Sequence, residues 1–499
     1  MRRRILLGLG ILLLRASAAA PLHAAPEDEP AYGAQVSARA LFGGWVDPGR
    51  WTSVRAQLET REAPPGRYRL GLRPLGSLGH VIADLELSPG GNKEVSLLLP
   101  VQQVGVQSLY LGRDGQEFTN LPSAATVDLR DSAGRTLVGV VSASDVDLGG
   151  LEGLGGGQDA AVALERPEAL PKQALGLSSV DHLVLADLSW EALEPEQQEA
   201  LRQWVGLGGH LVVSGGPSAA RTLGSIPPAL RPAEVLSVRE VADLSTMGAL
   251  GGGTAPRGPA TLAQLVPQER GEILLSLADG AALAVRSRYG DGRVTFLALD
   301  PFQGPLRGWE RHESLWQALA QDFPLADTAL SPPPLRGDEL QGLLQGIQER
   351  ERFPIEGLIY LLAGYILLVG PINYLLLRRR RRLDLAWLTI PALSLAASGL
   401  TYAYGRHLHG GRLQVDELSL VRAVPGAGVA HVSSLIVVFA PQSRAYTLEA
   451  AEGQLRLPAD VRGLLPGVRV SQQRAGSRLE GLSMDQWSQS LLSAEAVIP

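Results

Sequence analysis

Two long uncharged runs near the C-terminal end constrain this chain more than any other feature. The runs cover 357–377 and 385–405, and each has about 20 residues without a charge, the length of a helix that spans a bilayer. The loop between them, 378–384, holds the five arginines Arg378, Arg379, Arg380, Arg381 and Arg382. A connection this short forces the two helices to run antiparallel. The sequence therefore predicts a transmembrane hairpin.

The arginine loop also predicts the orientation of the hairpin, because short loops rich in arginine stay on the cytoplasmic side. The N-terminus agrees: Arg2, Arg3 and Arg4 precede an apolar run and small residues, the layout of a secretory signal peptide over 1–24. We therefore expect a cytoplasmic (inner) membrane protein with its large domains outside. Two alternatives stay open, an uncleaved N-terminal anchor and a hairpin buried in a soluble core.

Composition excludes several kinds of chemistry. The 499 residues include no cysteine, so disulfides, thiolate metal sites and a cysteine nucleophile are ruled out. Without the signal and loop arginines, 36 basic residues face 51 acidic ones, a net charge of about −15. That charge argues against nucleic acid as a partner. We predict no cofactor and no metal site, with the lipid bilayer and other membrane or exported proteins as partners.

Two regions show the pattern of β-structure. Between 31 and 130, short alternating segments are separated by Pro- and Gly-rich turns, as in a β-sandwich. The predicted strands are Thr52–Leu58, Tyr68–Leu72, His80–Leu87, Glu94–Leu99 and Gln107–Leu111. A second, smaller β domain is expected over 410–499, and it should pack against the sandwich because both lie on the same side of the membrane.

The region 135–326 has the pattern of a parallel α/β domain. The apolar strands His182–Asp187 and His210–Ser214 flank a helix over Pro195–Val205, which predicts a β–α–β unit with a right-handed crossover. The turn residues Gly290-Asp291-Gly292, between Ala282–Ser287 and Arg293–Leu299, predict a later hairpin. The segment Gly149–Gly157 is expected to be a flexible loop. A linker and amphipathic helix over 335–356 should lead into the membrane.

The runs ADLSWEALEPEQQEALRQWVGLGGHLVVSGGP and VRSRYGDGRVTFLALDPFQGPLRGW resemble the class I glutamine amidotransferase-like fold. More narrowly, roughly 135–405 is similar to uncharacterised bacterial membrane proteins that carry this domain outside the membrane. In those proteins the domain precedes a hairpin with a GPINYLLLRR-like start and a WLTIPAL-like second span. Active members of the broad superfamily use a cysteine assisted by a histidine. The resemblance therefore implies the fold without its catalytic residues.

Polar side chains follow three of the predicted strands and form the candidate ligand site. Such residues would lie at the C-terminal rim of the sheet, where open α/β folds bind ligands. They are Asp187, Ser189, Trp190, Ser214 and Asp300. Helix capping and loop tying explain the same residue types, and we favour that interpretation. Ser214 also lacks the small-x-Ser-x-small elbow of a nucleophile, so no catalytic residue is assigned.

These patterns support three hypotheses of function. The first is a non-catalytic, membrane-anchored exported protein that binds or scaffolds other components. The second is an extracytoplasmic hydrolase or transferase in which Asp187 and Asp300 form an acid/base pair. The third is a cell-wall glycan binder that uses the sandwich aromatics Trp45 and Trp51.

Overall fold

The computed structural model describes residues 32–75, 79–116, 122–132, 134–250, 254–320, 355–409, 413–456, 468–473 and 476–499. The predicted signal peptide lies outside these ranges, as does the predicted linker and amphipathic helix up to residue 354. The described chain contains several mixed and antiparallel sheets, few helices, two apolar helices and an all-β C-terminal part.

The N-terminal domain is a sandwich of two sheets. A three-stranded sheet of order β1–β3–β6 lies against β2, β8, β7, β4 and β5, and leucines such as Leu58, Leu70, Leu97 and Leu109 are buried between them. All five predicted strands are confirmed. The bounds are β1 (Ala34–Ala40), β2 (Trp45–Val46), β3 (Trp51–Thr60), β4 (Gly66–Arg73), β5 (His80–Leu87), β6 (Gly91–Pro100), β7 (Gly105–Arg113) and β8 (Ala125–Asp131).

The middle domain has a seven-stranded sheet of order β10–β9–β11–β12–β17–β16–β15. Its first five strands are parallel and its last two antiparallel. A separate antiparallel ribbon, β13 with β14, lies beside it. The strands are β9 (Thr136–Val141), β10 (Ala160–Glu165), β11 (His182–Leu185), β12 (His210–Val213), β13 (Ala233–Val241), β14 (Ala260–Pro267), β15 (Glu272–Ser276), β16 (Ala282–Tyr289) and β17 (Gly292–Leu297).

Within the described part of this domain the α-helices are α1 (Pro195–Gly206), α2 (Ala219–Thr222) and α3 (His312–Ala320). The predicted β–α–β unit is confirmed, because α1 connects the parallel neighbours β11 and β12. Helix α1 begins with a capping box, in which the side chains of Glu194 and Gln197 accept hydrogen bonds from each other's backbone N–H groups. Pro195 occupies the first helical position, where its lack of an N–H leaves no donor unpaired. The hairpin predicted at Gly290-Asp291-Gly292 is confirmed: Gly290 and Asp291 join β16 to β17, and Gly292 begins β17.

The glycine-rich segment is packed into the fold rather than forming an open loop. Leu151–Gly155 is a short 3-10 turn against α3, and Leu151 and Leu154 are fully buried. A Cβ on Gly153 would lie 2.3 Å from the backbone oxygen of Glu313. The glycines here therefore permit close approach of two backbones, and the expectation of a flexible loop is wrong for 151–155.

The apolar hairpin covers 355–409. It consists of α4 (Ile355–Leu367), a π turn (Leu368–Ile372), α5 (Asn373–Arg379) and α6 (Ala386–His409). Two continuous helical stretches in it are long and apolar enough to cross a membrane: Ile359–Arg379, which combines α4, the π turn and α5, and Leu383–Tyr404, which contains most of α6. Only 6% and 0% of their most apolar segments are buried. Trp387, for example, is 90% exposed, so the part of the chain that the structure describes does not bury the apolar hairpin.

Two polar contacts join the helices of the apolar hairpin. The hydroxyls of Tyr365 and Ser394 are 2.8 Å apart, and Asn373 Nδ2 donates to Thr389 Oγ1 at 3.1 Å. Pro371 lies inside the π turn, where its missing N–H and its ring disturb the helical ladder. Asn373 therefore links the two antiparallel helices, close in sequence to the irregularity at Pro371.

The C-terminal domain is also a two-sheet structure, and one of its sheets is shared with the N-terminal domain. Strand β22 pairs in parallel with β5, with Arg469 opposite His80, so a single eight-stranded sheet runs β2–β8–β7–β4–β5–β22–β23–β20. The other sheet has the order β18–β19–β24–β21. The bounds are β18 (Gln414–Val424), β19 (Val429–Ala440), β20 (Arg444–Ala450), β21 (Gln454–Arg456), β22 (Arg469–Gln472), β23 (Ser477–Met484) and β24 (Ser488–Ile498).

The three domains share buried contacts as well as strands. The ring of Phe42, a residue with φ of +49°, packs over Gly139 of β9, where a Cβ would lie 2.5 Å from its Cζ atom. Gln472 accepts a hydrogen bond from the backbone N–H of Leu98 at 2.8 Å and donates to the Leu98 oxygen. On the other side, Arg202 of α1 donates to the Ala427 oxygen between β18 and β19 at 3.0 Å. The predicted packing of the C-terminal domain on the sandwich is confirmed.

Candidate functional site

The sheet order brings the predicted rim residues together. Strands β11, β12 and β17 are neighbours, so Asp187, Ser214 and Asp300, which follow them, lie at one edge of the sheet. Their close approach depends on Gly216, whose φ is +72° and where a Cβ would lie 2.8 Å from the Asp300 Cβ. The backbone N–H of Gly216 also donates to the Ala298 oxygen at 3.1 Å. We call Asp187, Ser214 and Asp300 the rim cluster.

Ser214 is a structural link inside the rim cluster. It is fully buried, its Oγ accepts a hydrogen bond from the Asp187 backbone N–H at 3.0 Å, and its backbone oxygen accepts one from Thr222 Oγ1 at 2.8 Å. His182 and His210 lie at the opposite ends of β11 and β12, about 13 Å from Ser214 along the strands. Ser214 therefore has neither the exposure nor a histidine base that a nucleophile needs.

Asp187 is the accessible carboxylate of the rim cluster. Its φ is +47°, a left-handed conformation that aspartate tolerates better than most residues. Its Oδ1 accepts a hydrogen bond from Arg221 Nη2 of α2 at 2.7 Å, and the two side chains are 37% and 57% exposed. The Arg221 guanidinium therefore pairs with this carboxylate and partly covers it.

Asp300 is the buried carboxyl of the rim cluster, 6% exposed. Burial raises its pKa to about 6, and the negative charge of Asp187 adds to that rise. Its Oδ1 accepts from the Phe302 N–H at 3.0 Å and its Oδ2 from Gln303 Nε2 at 2.6 Å, which opposes the rise. A raised pKa beside an ionised carboxylate suits an acid/base pair, whereas the two hydrogen bonds to the following loop are those of a turn residue.

Ser189 and Trp190 stand apart from the rim cluster. Ser189 is half-buried and precedes the 3-10 turn Trp190–Ala192. Trp190 is 4% exposed and belongs to the main hydrophobic core, while its backbone N–H donates to Ser225 Oγ at 2.9 Å. Its indole is core and offers no open face to a ligand in this conformation.

The sandwich tryptophans are also anchors. Trp51 is fully buried, its backbone N–H donates to Ser178 Oγ at 2.8 Å, and the Arg456 guanidinium lies 5.1 Å from its ring centre. Trp45 is half-buried between the guanidinium groups of Arg130 and Arg135, at 5.8 and 5.3 Å. Trp51 therefore joins the sandwich to the other two domains.

Sequence reasoning missed a buried polar chain at the opposite edge of the sheet. The Nδ1 atoms of His182 and His210 are 2.9 Å apart, and His210 Nε2 is 2.9 Å from Thr295 Oγ1. Burial lowers the pKa of His182 to about 3 and that of His210 well below its usual range. Both imidazoles are neutral, so one Nδ1 donates to the other. The signal was available, because both histidines are the first residues of strands that pair in register.

No cofactor site emerges from these side chains. Within the described ranges, no group of three or more His, Asp or Glu side chains is arranged to hold a metal ion. The rim cluster contributes two carboxyls only, and Asp300 already accepts two hydrogen bonds from its own loop. The chemistry open to the rim cluster is therefore proton transfer or hydrogen bonding.

Comparisons with known proteins define no family. No known family's sequence pattern matches the chain, and no curated protein matches it. Among solved structures, an exo-β-1,4-mannosidase from an Opitutaceae bacterium is 17% identical with a TM-score of 0.25, covering 37% of this chain and 35% of its own. A cycloisomaltooligosaccharide glucanotransferase from a Paenibacillus species is 11% identical with a TM-score of 0.17, covering 46% of this chain and 34% of its own. Likenesses this partial define neither a fold nor an activity.

Proposed function

We propose that this chain is a membrane-anchored exported scaffold or binding protein, held by 355–409 as a transmembrane hairpin with the three folded domains on the outer face. The pairing of β22 with β5 is the observation that carries the proposal. Strands that share hydrogen bonds lie on one side of any membrane. Since β5 precedes the hairpin and β22 follows it, a hairpin that crosses and returns fits this fold, and the arginine loop then lies inside.

The same proposal assigns the middle domain to the glutamine amidotransferase-like fold without its catalysis. In support, the chain has no cysteine, and Ser214 is buried in hydrogen bonds that hold the rim together. Because Ser214 and Asp300 already make hydrogen bonds within the domain, the domain would bind partners through its outer surfaces rather than through the rim cluster. Other membrane or exported proteins are the partners that this arrangement fits.

A second candidate function, an extracytoplasmic hydrolase or transferase, rests on one observation. Asp300 has a raised pKa beside the exposed Asp187 carboxylate, as an acid/base pair requires. A third, glycan binding through Trp45 and Trp51, has less support because Trp51 is fully buried.

The experiment that separates the first two functions is complementation of a strain that lacks the chain. Asp187→Asn and Asp300→Asn keep side-chain size but remove the ionisable carboxyl, and each replaces one acceptor oxygen by an NH2 donor. Glu191→Gln, an exposed acid outside the rim cluster, makes the same chemical change and is the matched control. The scaffold proposal predicts that all three variants complement at wild-type protein level. Loss of complementation by both rim variants at normal stability, with the control intact, would favour the enzyme.

A further inference from the structure

Strand β18 is an open edge. Among the strands that the structure describes, β18 has a neighbour on one side only, β19 in the order β18–β19–β24–β21. The ladder between them is regular from Gln414 opposite Phe439 to Val424 opposite Val429, without a bulge. Ten of the eleven residues of β18 are exposed, and only Val424 is buried. Half of the backbone groups of β18 therefore point away from the sheet.

The side chains of β18 leave this edge only partly protected. Edge strands usually carry charged residues, proline or a bulge that prevents another strand from adding. Strand β18 has no proline and no bulge, and its three charged residues, Asp416, Glu417 and Arg422, include both signs. Four large apolar side chains are 47–66% exposed along it: Val415, Leu418, Leu420 and Val421. A long, flat edge with exposed apolar side chains and charges of both signs can accept an added strand of complementary pattern.

We propose that the edge of β18 is an interface between two copies of this chain, paired antiparallel about Ser419. In a symmetric pair of edge strands the two-fold axis is perpendicular to the sheet, so both copies present the same face on the same side. Facing residues must then point to one face, and residues of one face are two apart along a strand. The axis therefore passes through a residue rather than between two.

The charges on β18 select which residue lies on the axis. With Ser419 at the centre, Asp416 faces Arg422 of the second copy, Leu418 faces Leu420, and each pair occurs twice. With Leu418 at the centre, Asp416 would face Leu420 instead. With Leu420 at the centre, it would face Val424. Of these three registers, only the one centred on Ser419 places opposite charges together. It also pairs Leu418 with Leu420, while Glu417 faces Val421, and opposite-charge and apolar pairs stabilise cross-strand pairing.

Arg422 has the capacity for this added contact. Its Nη2 lies 3.1 Å from Asp291 Oδ2 of the middle domain, while its side chain remains 47% exposed. A guanidinium has five N–H donors, so it can bind Asp291 and the Asp416 of a second copy together. This interface does not depend on the membrane anchoring proposed above, so either can fail without the other.

The absence of cysteine allows a direct cross-linking test on the full chain in its native membranes. Ser419→Cys would place two thiols across the axis, on Cα atoms about 5 Å apart, within disulfide range. Val415→Cys is the matched control: it is exposed, lies on the same face of β18, and would sit about 27 Å from its counterpart, eight residues along the strand. We expect at least about tenfold more oxidised dimer for Ser419→Cys. Equal cross-linking of both variants, or none of Ser419→Cys at wild-type abundance, would overturn the proposal.

A charge exchange tests the register without relying on a disulfide. In a pair of identical Asp416→Arg copies, the new arginine at 416 faces Arg422 of the other copy, and this happens twice. In a pair of identical Arg422→Asp copies, the new aspartate at 422 faces Asp416 twice. A mixed pair, one copy of each variant, regains both opposite-charge contacts. With two affinity tags, co-capture of identical variants should fall about tenfold, and the mixed pair should return toward wild type. Equal co-capture in all combinations would contradict pairing through β18.

Discussion

Replacing one histidine of the buried pair should change how the stability of the fold depends on pH. In the folded chain the pKa of His182 is about 3, because burial disfavours its charged form, against 6.5 for an exposed histidine. Between these values the unfolded chain binds a proton at this side chain and the folded chain does not. Stability contributed by His182 is therefore complete above pH 6.5 and is lost as the pH falls toward 3.

The size of the effect follows from the linkage between proton binding and folding. One pH unit is worth about 1.4 kcal/mol, so lowering the pH from 7 to 5 should cost about 2 kcal/mol through His182. His210 adds a loss of the same sign, because its pKa is also lowered. Asp181 and Asp300 act in the opposite direction, since their pKa values are raised to about 6 and their protonation favours the folded chain. The pH dependence of wild-type stability therefore combines opposing contributions. The contribution of His182 is measured as the difference between the wild type and a variant without that histidine.

The assay is thermal or denaturant unfolding of the detergent-solubilised chain at pH 7 and pH 5, for wild type and His182→Asn. The asparagine amide can replace the Nδ1 contact with His210 but does not titrate. We expect the pH-dependent loss of stability to be smaller in the variant by about 2 kcal/mol. Val184→Ala, a buried truncation on the same strand, should lower stability equally at both pH values. An identical pH dependence in wild type and His182→Asn would refute the argument.

Three further predictions concern the domain contacts and the rim cluster. Phe42→Ala should cost about 3–5 kcal/mol, because it empties the space over Gly139, and unfolding curves will measure the loss. Gln472→Ala should cost about 2 kcal/mol and speed amide exchange in β22, since both backbone groups of Leu98 lose their partner; unchanged exchange would contradict this. Raising the pH from 5 to 7.5 should lower the free energy of unfolding by about 1 kcal/mol more in the wild type than in Asp300→Asn, because only the wild-type chain has a buried carboxyl that must ionise. Unfolding curves at the two pH values will measure the difference.

Local patterns in the sequence were enough to predict much of the secondary structure. The residues Gly290-Asp291-Gly292 predicted the hairpin, and in the structure Gly290 and Asp291 form its two-residue turn, with a φ of +62° at Gly290. Alternating residues predicted the sandwich strands, since side chains of a strand point to opposite faces. The two uncharged runs predicted the apolar hairpin from length and composition alone. Each of these signals is contained within about 20 residues.

Contacts between distant segments could not be predicted in the same way. The pattern of Arg469–Gln472 shows that one face of a strand is buried, but not that its neighbour is the strand at His80, nearly four hundred residues earlier. The left-handed φ of Phe42 and its packing over Gly139 likewise follow from the meeting of two domains. No local periodicity encodes such a contact.

The candidate site was predictable in position but not in role. The rule that strand ends of a parallel sheet share an edge placed Asp187, Ser214 and Asp300 together. Aspartate and serine at strand ends serve equally as loop ties and as ligand contacts. Only the burial of Ser214 and its hydrogen bond to Asp187 distinguish the two roles at that position.

Labelling of single cysteines in sealed membranes tests the central claim most directly. That claim is that the segments before and after the apolar hairpin fold together on one side, with the arginine loop on the other. Glu86→Cys and Glu452→Cys, both at exposed positions, report on the two segments, and Arg380→Cys reports on the loop. With a membrane-impermeant maleimide added outside, we predict labelling at 86 and 452, and at 380 only after permeabilisation. Labelling of 86 and 452 from opposite sides, or of all three positions from one side, would contradict the account.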